Sequence, residues 1–120
     1  MIQIKNKPLK IAALGLITVL LASFNNKQIF NGGAINIPNM IITVNAKPPE
    51  ITATNASGCA GTINYQWQQS PDGNNFIDIL NATAVSYQPI VIITRTHFRR
   101  RAICSAVDTA YTNVATIMVQ

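Results

Sequence analysis

The sequence predicts an all-β fold, an antiparallel two-layer sandwich of about seven strands, preceded by an N-terminal signal helix. Three observations carry this expectation. From Met40 onward, short runs rich in β-branched and aromatic residues recur about every 8–12 residues between Gly, Pro, Asn and Asp clusters. Within Thr62–Gln69 (TINYQWQQ), Ile63, Tyr65 and Trp67 alternate with Asn64, Gln66 and Gln68, the period of a half-buried strand. No segment after Ala22 carries a helical period.

The bulk composition fits one domain. The chain has 120 residues, 48% hydrophobic and 11% charged, so it has ample apolar surface to bury and too short a chain for two sizeable cores. The net charge of +5 is concentrated at the start, where Lys5, Lys7 and Lys10 lie. Without them six cations face four acids (Glu50, Asp72, Asp78 and Asp108), a balance too even for the broad basic stripe of a nucleic-acid binder.

The N-terminus follows the secretory pattern. A lysine-bearing, acid-free segment precedes the apolar run Ile11–Ala22 (IAALGLITVLLA), shorter than the ~20 residues of a membrane-spanning helix. Residues 1–23 therefore read as a signal peptide. Cleavage after Ala22 or Ser23 would leave Leu20 or Leu21 where a small residue is preferred, so an uncleaved signal anchor also fits. No cysteine follows the run, which argues against a lipoprotein anchor. Residues 24–39, rich in Asn and Gly, read as a linker with a short strand at Ala34–Ile37, and residues 40–120 as the folded domain.

Within the domain, Met40–Val44 is a strand closed by Asn45 and by Pro48-Pro49, which cannot donate to a ladder. Ile51–Thr54 resumes extended structure, and Ser57–Gly61 turns. After Thr62–Gln69, Ser70-Pro71-Asp72-Gly73-Asn74 is a strong turn signal: proline fixes one dihedral and glycine accepts a positive one. Phe76–Leu80 returns, Asn81–Ala84 turns, and Val85–Ile93, Arg95–Cys104 and Tyr111–Val119 complete the strands. Pro89 marks an edge or a strand end.

The ordered set GCAGTINYQWQQSPDGNNFIDI (Gly58–Ile79), ATAVSYQP (Ala82–Pro89), HFRRRAIC (His97–Cys104) and AYTNVATIMV (Ala110–Val119) resembles the immunoglobulin-like modules of secreted and surface proteins of Bacteroidetes, including Rhs-repeat-associated ones. The match is dense over about half the chain and thins toward Met40. His97 stands where these modules usually carry tyrosine, and Asn81 replaces a small turn residue. The resemblance implies an immunoglobulin-like β-sandwich and export, and implies little about activity.

Cys59 and Cys104, the two cysteines of the chain, are expected to form a disulfide, since an even count in an exported chain favours one. If Trp67 faces Phe98 on an antiparallel neighbour, the two cysteines fall nearly opposite at one end of the pair. A free thiol and a metal site are the alternatives; two cysteines so far apart with no histidine pair suit a metal poorly.

Tyr65, Trp67 and Phe98 are the expected core. Strand alternation across Arg95–Arg101 sends Arg95, His97, Arg99 and Arg101 to one face, a candidate anion-binding ridge or a solvated face that discourages edge pairing. It turns Arg100 inward with Phe98, where it needs a carboxylate, a carbonyl or an aromatic face; Tyr65 and Asp78 are the candidates.

Catalytic signals are missing from the sequence. The single histidine has no acid near it in sequence, no serine lies in a nucleophile elbow, and the acids are too scattered for a glycosidase pair. Asp72-Gly73-Asn74-Asn75 lacks calcium-loop spacing and reads as a hairpin turn. Asn55-Ala56-Ser57 and Asn81-Ala82-Thr83 fit glycosylation sequons. The expected function is a non-catalytic, secreted or cell-surface interaction or adhesion module without cofactors. It would be a monomer that meets a protein or glycan partner, with no nucleic acid and no membrane span beyond the signal segment. The alternative is a structural spacer from a truncated or split surface protein.

Overall fold

The computed structural model describes residues 28–120; the expected signal peptide, 1–23, lies outside the described residues. These residues form an all-β structure of six strands: β1 (Asn39–Ile42), β2 (Ile63–Ser70), β3 (Ile77–Asp78), β4 (Thr96–Cys104), β5 (Asp108–Tyr111) and β6 (Ala115–Val119). They belong to one sheet of order β1-β6-β4-β2-β3, with β5 also paired to β4. The sheet is mixed, because β1 runs parallel to β6 while the other pairs are antiparallel.

The long strands β2 and β4 organise the sheet. Their register runs from Ile63 opposite Cys104 to Ser70 opposite His97. Trp67 therefore faces Arg100, and Phe98 faces Gln69, a two-residue shift from the expected pairing. Because side chains alternate with period two, such a shift changes neighbours and preserves faces. Trp67, Phe98, Ala115 and Ile117 still converge on one face, packed with Ile35, Ile51, Ala82 and Ile92. Tyr87, delivered by the opposing loop, enters between the two large rings, 5.9 Å from Trp67 and 5.8 Å from Phe98 between centroids. The Trp67 indole is fully buried and donates to the Ala84 carbonyl at 2.9 Å, so its one polar atom is satisfied. Tyr65, expected in the core, is half-buried, and its hydroxyl accepts from the Ala56 amide at 2.9 Å.

Chain without long strands covers the core face. Ile51–Thr54 and Val85–Ile93, both expected as strands, meet at a single bridge, Ile51 to Tyr87. The buried prolines Pro48 and Pro89 both fall on one side of this antiparallel bridge, and a residue without an N–H cannot extend a ladder. The segment expected as a linker joins this layer: Asn31 bridges Ser57, Ile35 bridges Ala53, and the Ile35 side chain is buried in the core.

Tyr111–Val119, expected as one strand, divides into β5 and β6. Between the Arg101–Tyr111 and Phe98–Ala115 pairings, Arg99 and Arg100 of β4 are matched by Thr112, Asn113 and Val114. That extra residue is a bulge, which bends the strand and re-aims its side chains. The Asn113 side chain, freed from the ladder, accepts from the Ile35 amide at 2.7 Å.

Cys59 and Cys104 form the expected disulfide, with Cα atoms 5.7 Å apart. Its geometry differs from the expectation in one respect. Cys104 faces Ile63 across the strands, and Cys59 reaches it from the preceding turn. The bond closes a loop of 45 residues and on a chain-entropy basis contributes about 3–4 kcal/mol. Replacing Cys59 with Ser is expected to lower the melting temperature under oxidising conditions. Reductant should bring the parent protein down to the level of the variant and leave the variant unchanged.

Candidate functional site

The four arginines lie within seven consecutive residues, and the sheet gives each a different environment. Arg95 precedes β4, is exposed, and lines a hollow of about 210 Å³ with Gln69, Ile77 and Thr94. His97, Arg99 and Arg101 share the outer face of β4 as expected, but they do not stand as a free basic comb. The His97 ring lies over Gly73, and its Nδ1 is 2.9 Å from Thr116 Oγ1. Arg101 pairs with Asp78 at 3.1 Å. Arg99 donates through Nε to Gln68 Oε1 at 2.8 Å and lies between two rings, 4.2 Å from the centroid of Phe76 and 4.1 Å from that of Tyr111. Gln68 turns its amide nitrogen to Asp78 at 2.8 Å. The Gln68 hydrogen bond first, and then the Arg101 charge, hold the Asp78 carboxyl below its usual value.

Arg100 points the other way. Its side chain is fully buried beside Trp67. Nη1 donates to the Val85 carbonyl at 2.7 Å, and Nη2 to those of Gly32 at 2.9 Å and Thr54 at 2.6 Å. The guanidinium stacks 4.1 Å over the Tyr65 ring. Of the two expected partners, Tyr65 serves Arg100 and Asp78 serves Arg101. Among the described residues no carboxylate neutralises the buried cation; three carbonyl dipoles and a π-face stand in for water at Nη1, Nη2 and the guanidinium face, and the buried Nε has no hydrogen-bond partner. Burial pushes the Arg100 pKa down, and Tyr65 opposes the shift. The bulge closes the same site, since Thr112 Oγ1 accepts from the Arg100 amide at 3.0 Å while the Thr112 amide donates to the Arg100 carbonyl. Gly33, with φ of 84°, lies so close that a Cβ there would be 2.4 Å from the Thr54 oxygen and 2.7 Å from Arg100 Nη2.

The turn after β2 is bound by its own donors. Asp72 Oδ1 accepts from the Asn74 and Asn75 amides and the Ser70 hydroxyl, and Oδ2 accepts from the Asn75 side chain. Backbone hydrogen bonds from Asn75 and Asn74 are the largest causes of a carboxyl pKa well below the usual 3.8. The acceptors that a calcium ion would use are thus already occupied. Among the described residues, no group of three His, Cys, Asp or Glu side chains is placed to hold a metal ion, and no helix is long and apolar enough to cross a membrane.

Phe76, Gln68, Tyr111 and Thr112 were not singled out from the sequence as partners of the arginines. Parity along β4 gave the face of Arg99, but its meeting with Tyr111 depends on the β4–β5 register, in which Tyr111 faces Arg101. Fold and site together define an all-β, disulfide-bonded domain organised around a buried arginine. A family model for a domain of unknown function, DUF8696, matches residues 31–120, and the chain belongs to this family. No curated protein matches the chain. The family match begins at Asn31, the residue at which the N-terminal segment first bridges the sheet layer.

Two outcomes follow for stability. Arg100→Met leaves the Gly32, Thr54 and Val85 carbonyls without their donor and should cost about 3 kcal/mol or more, read from denaturant melts. Arg100→Lys, which keeps the charge but not the fork, should fall between parent and Met. For Asp72, the folded carboxyl titrates below its unfolded value of 3.8. Its stabilisation is therefore complete above that pH and is lost as pH falls through the lower, folded pKa. An NMR titration should find the Asp72 carboxyl still ionised when exposed carboxyls have protonated, and Asp72→Asn should flatten the acid limb of the stability profile.

Proposed function

We propose that the chain is a non-catalytic, exported immunoglobulin-like module that meets a protein or glycan partner at the cell surface. The observation that carries this reading is a strip of aliphatic side chains standing in solvent beside β3: Ile77, Leu80, Ile90, Val91 and Ile93 are 64%, 87%, 80%, 56% and 68% exposed. They adjoin one another through hollows that share their walls. Val91 and Ile93 share one with Ile90; Ile90 shares the next, of about 410 Å³, with Leu80; Ile77 lines a third that shares Gln69 and Thr94 with the first. Contiguous apolar surface on a small domain marks an interaction site more often than it is left wet without purpose.

Three features support the rest of the reading. The Cys59–Cys104 bond suits an oxidising compartment. The lysine-then-apolar N-terminus supplies an export signal. A sheet with one face covered by a second layer of chain is consistent with the immunoglobulin-like resemblance over Gly58–Val119. The spacer reading draws on the number of internal tethers, the disulfide and the buried arginine, which make a stiff unit.

The test immobilises the purified protein and an Ile90→Asp/Ile93→Asp variant against a glycan array and against surface extract of the producing cell. The interaction reading expects a glycan or surface protein to be retained by the parent and lost by the variant, with the melting temperature kept within a few degrees. Retention of nothing, or equal retention by both proteins, contradicts it and leaves the spacer.

A further inference from the structure

We propose that the Arg99 guanidinium is a docking fork for the carboxylate of a sugar acid, held open by Phe76 and Tyr111. Arg99 is fixed before any ligand arrives. Its guanidinium carbon lies over two rings, at 4.2 and 4.1 Å from their centroids, and Nε is spent on Gln68. Nη1 and Nη2 have no acceptor among the described residues, and neither is a buried, unsatisfied atom, so the end of the fork faces solvent.

The charge around it is uneven in the required direction. Asp78 is the carboxylate on this face, and it is engaged by Gln68 and Arg101. Arg99 makes no ion pair among the described residues, and the flanking rings lower the local dielectric and strengthen a charge-assisted bond.

Geometry selects the anion. A guanidinium end offers two parallel N–H donors to a planar carboxylate, and flanking rings favour a group that lies in the guanidinium plane over a tetrahedral one. What lies beyond the carboxylate meets the rim of Tyr111, 44% exposed. An exposed aromatic rim that carries a phenol hydroxyl suits the C–H face and hydroxyls of a pyranose. The assignment goes beyond the proposed interaction surface, because Arg99 lies on a different face from the aliphatic strip and does not depend on it.

The test is an amide NMR titration of the whole protein with sodium glucuronate, alongside glucose, N-acetylglycine and inorganic phosphate. Glucuronate is expected to shift the Phe76, Arg99 and Tyr111 amides saturably, and the other three to shift them little. Arg99→Gln should abolish the response. Arg99→Lys, which keeps a cation between the rings, should weaken it about tenfold, the worth of one charge-assisted hydrogen bond. Shifts from glucose equal to those from glucuronate, an equal response to N-acetylglycine or phosphate, or an unweakened Arg99→Lys would each overturn the assignment. A surface partner retained through the aliphatic strip with no glucuronate response overturns this inference alone. A glucuronate response with no strip-dependent partner supports it while the strip reading fails.

Discussion

Arg100 places a full positive charge where a small domain has least water, against the indole of its central strand. Bringing a guanidinium out of water costs several kcal/mol unless its donors are met. Here Nη1 and Nη2 are met by carbonyls from three separate stretches of chain, at Gly32, Thr54 and Val85, while Nε is buried without a hydrogen-bond partner. None of these stretches belongs to a named strand of the sheet, and each needs a reason to lie on it. Arg100 supplies that reason: the covering layer stays because its carbonyls solvate the cation, and the cation stays because the layer covers it. Such mutual dependence makes a buried polar group specify one arrangement rather than merely add stability.

The neighbouring residue shows what the same side chain does on the other face. Arg99 is also stacked on aromatic rings, but on the outer face, and one end of its fork remains wet. The bulge at Thr112–Val114 separates these two roles. Thr112, at its start, closes the inner site, while Tyr111, opposite Arg101 in the β4–β5 ladder, lies diagonally against Arg99.

Much of the fold was legible because side-chain parity survives errors of register. The inward turn of Trp67, Phe98 and Arg100, and the outward turn of His97, Arg99 and Arg101, follow from alternation alone. The Cys59–Cys104 bond was legible for a different reason, since two cysteines leave a single intramolecular pairing. Cross-strand neighbours were not legible. Trp67 faces Arg100 rather than Phe98, and Tyr87 fills the space between the rings from a segment that alternation placed in a strand. The inserted residue after Tyr111 leaves no local signal, because Thr-Asn-Val reads as strand as readily as bulge. The N-terminal segment was the hardest to read. Asn and Gly composition suggests a linker, whereas Gly32 and Gly33 are there because the backbone packs against Tyr111, Thr54 and Arg100 too closely for a side chain.

The central claim is that one guanidinium holds the covering layer to the sheet, and the measurement that reaches it most directly is NMR of the arginine side-chain nitrogens. The account predicts one arginine, Arg100, whose Nη protons exchange slowly at neutral pH, resolve individually, and show contacts to the Tyr65 ring and to the chain around Gly32, Thr54 and Val85. Four arginines with equally fast-exchanging, averaged Nη signals would contradict it.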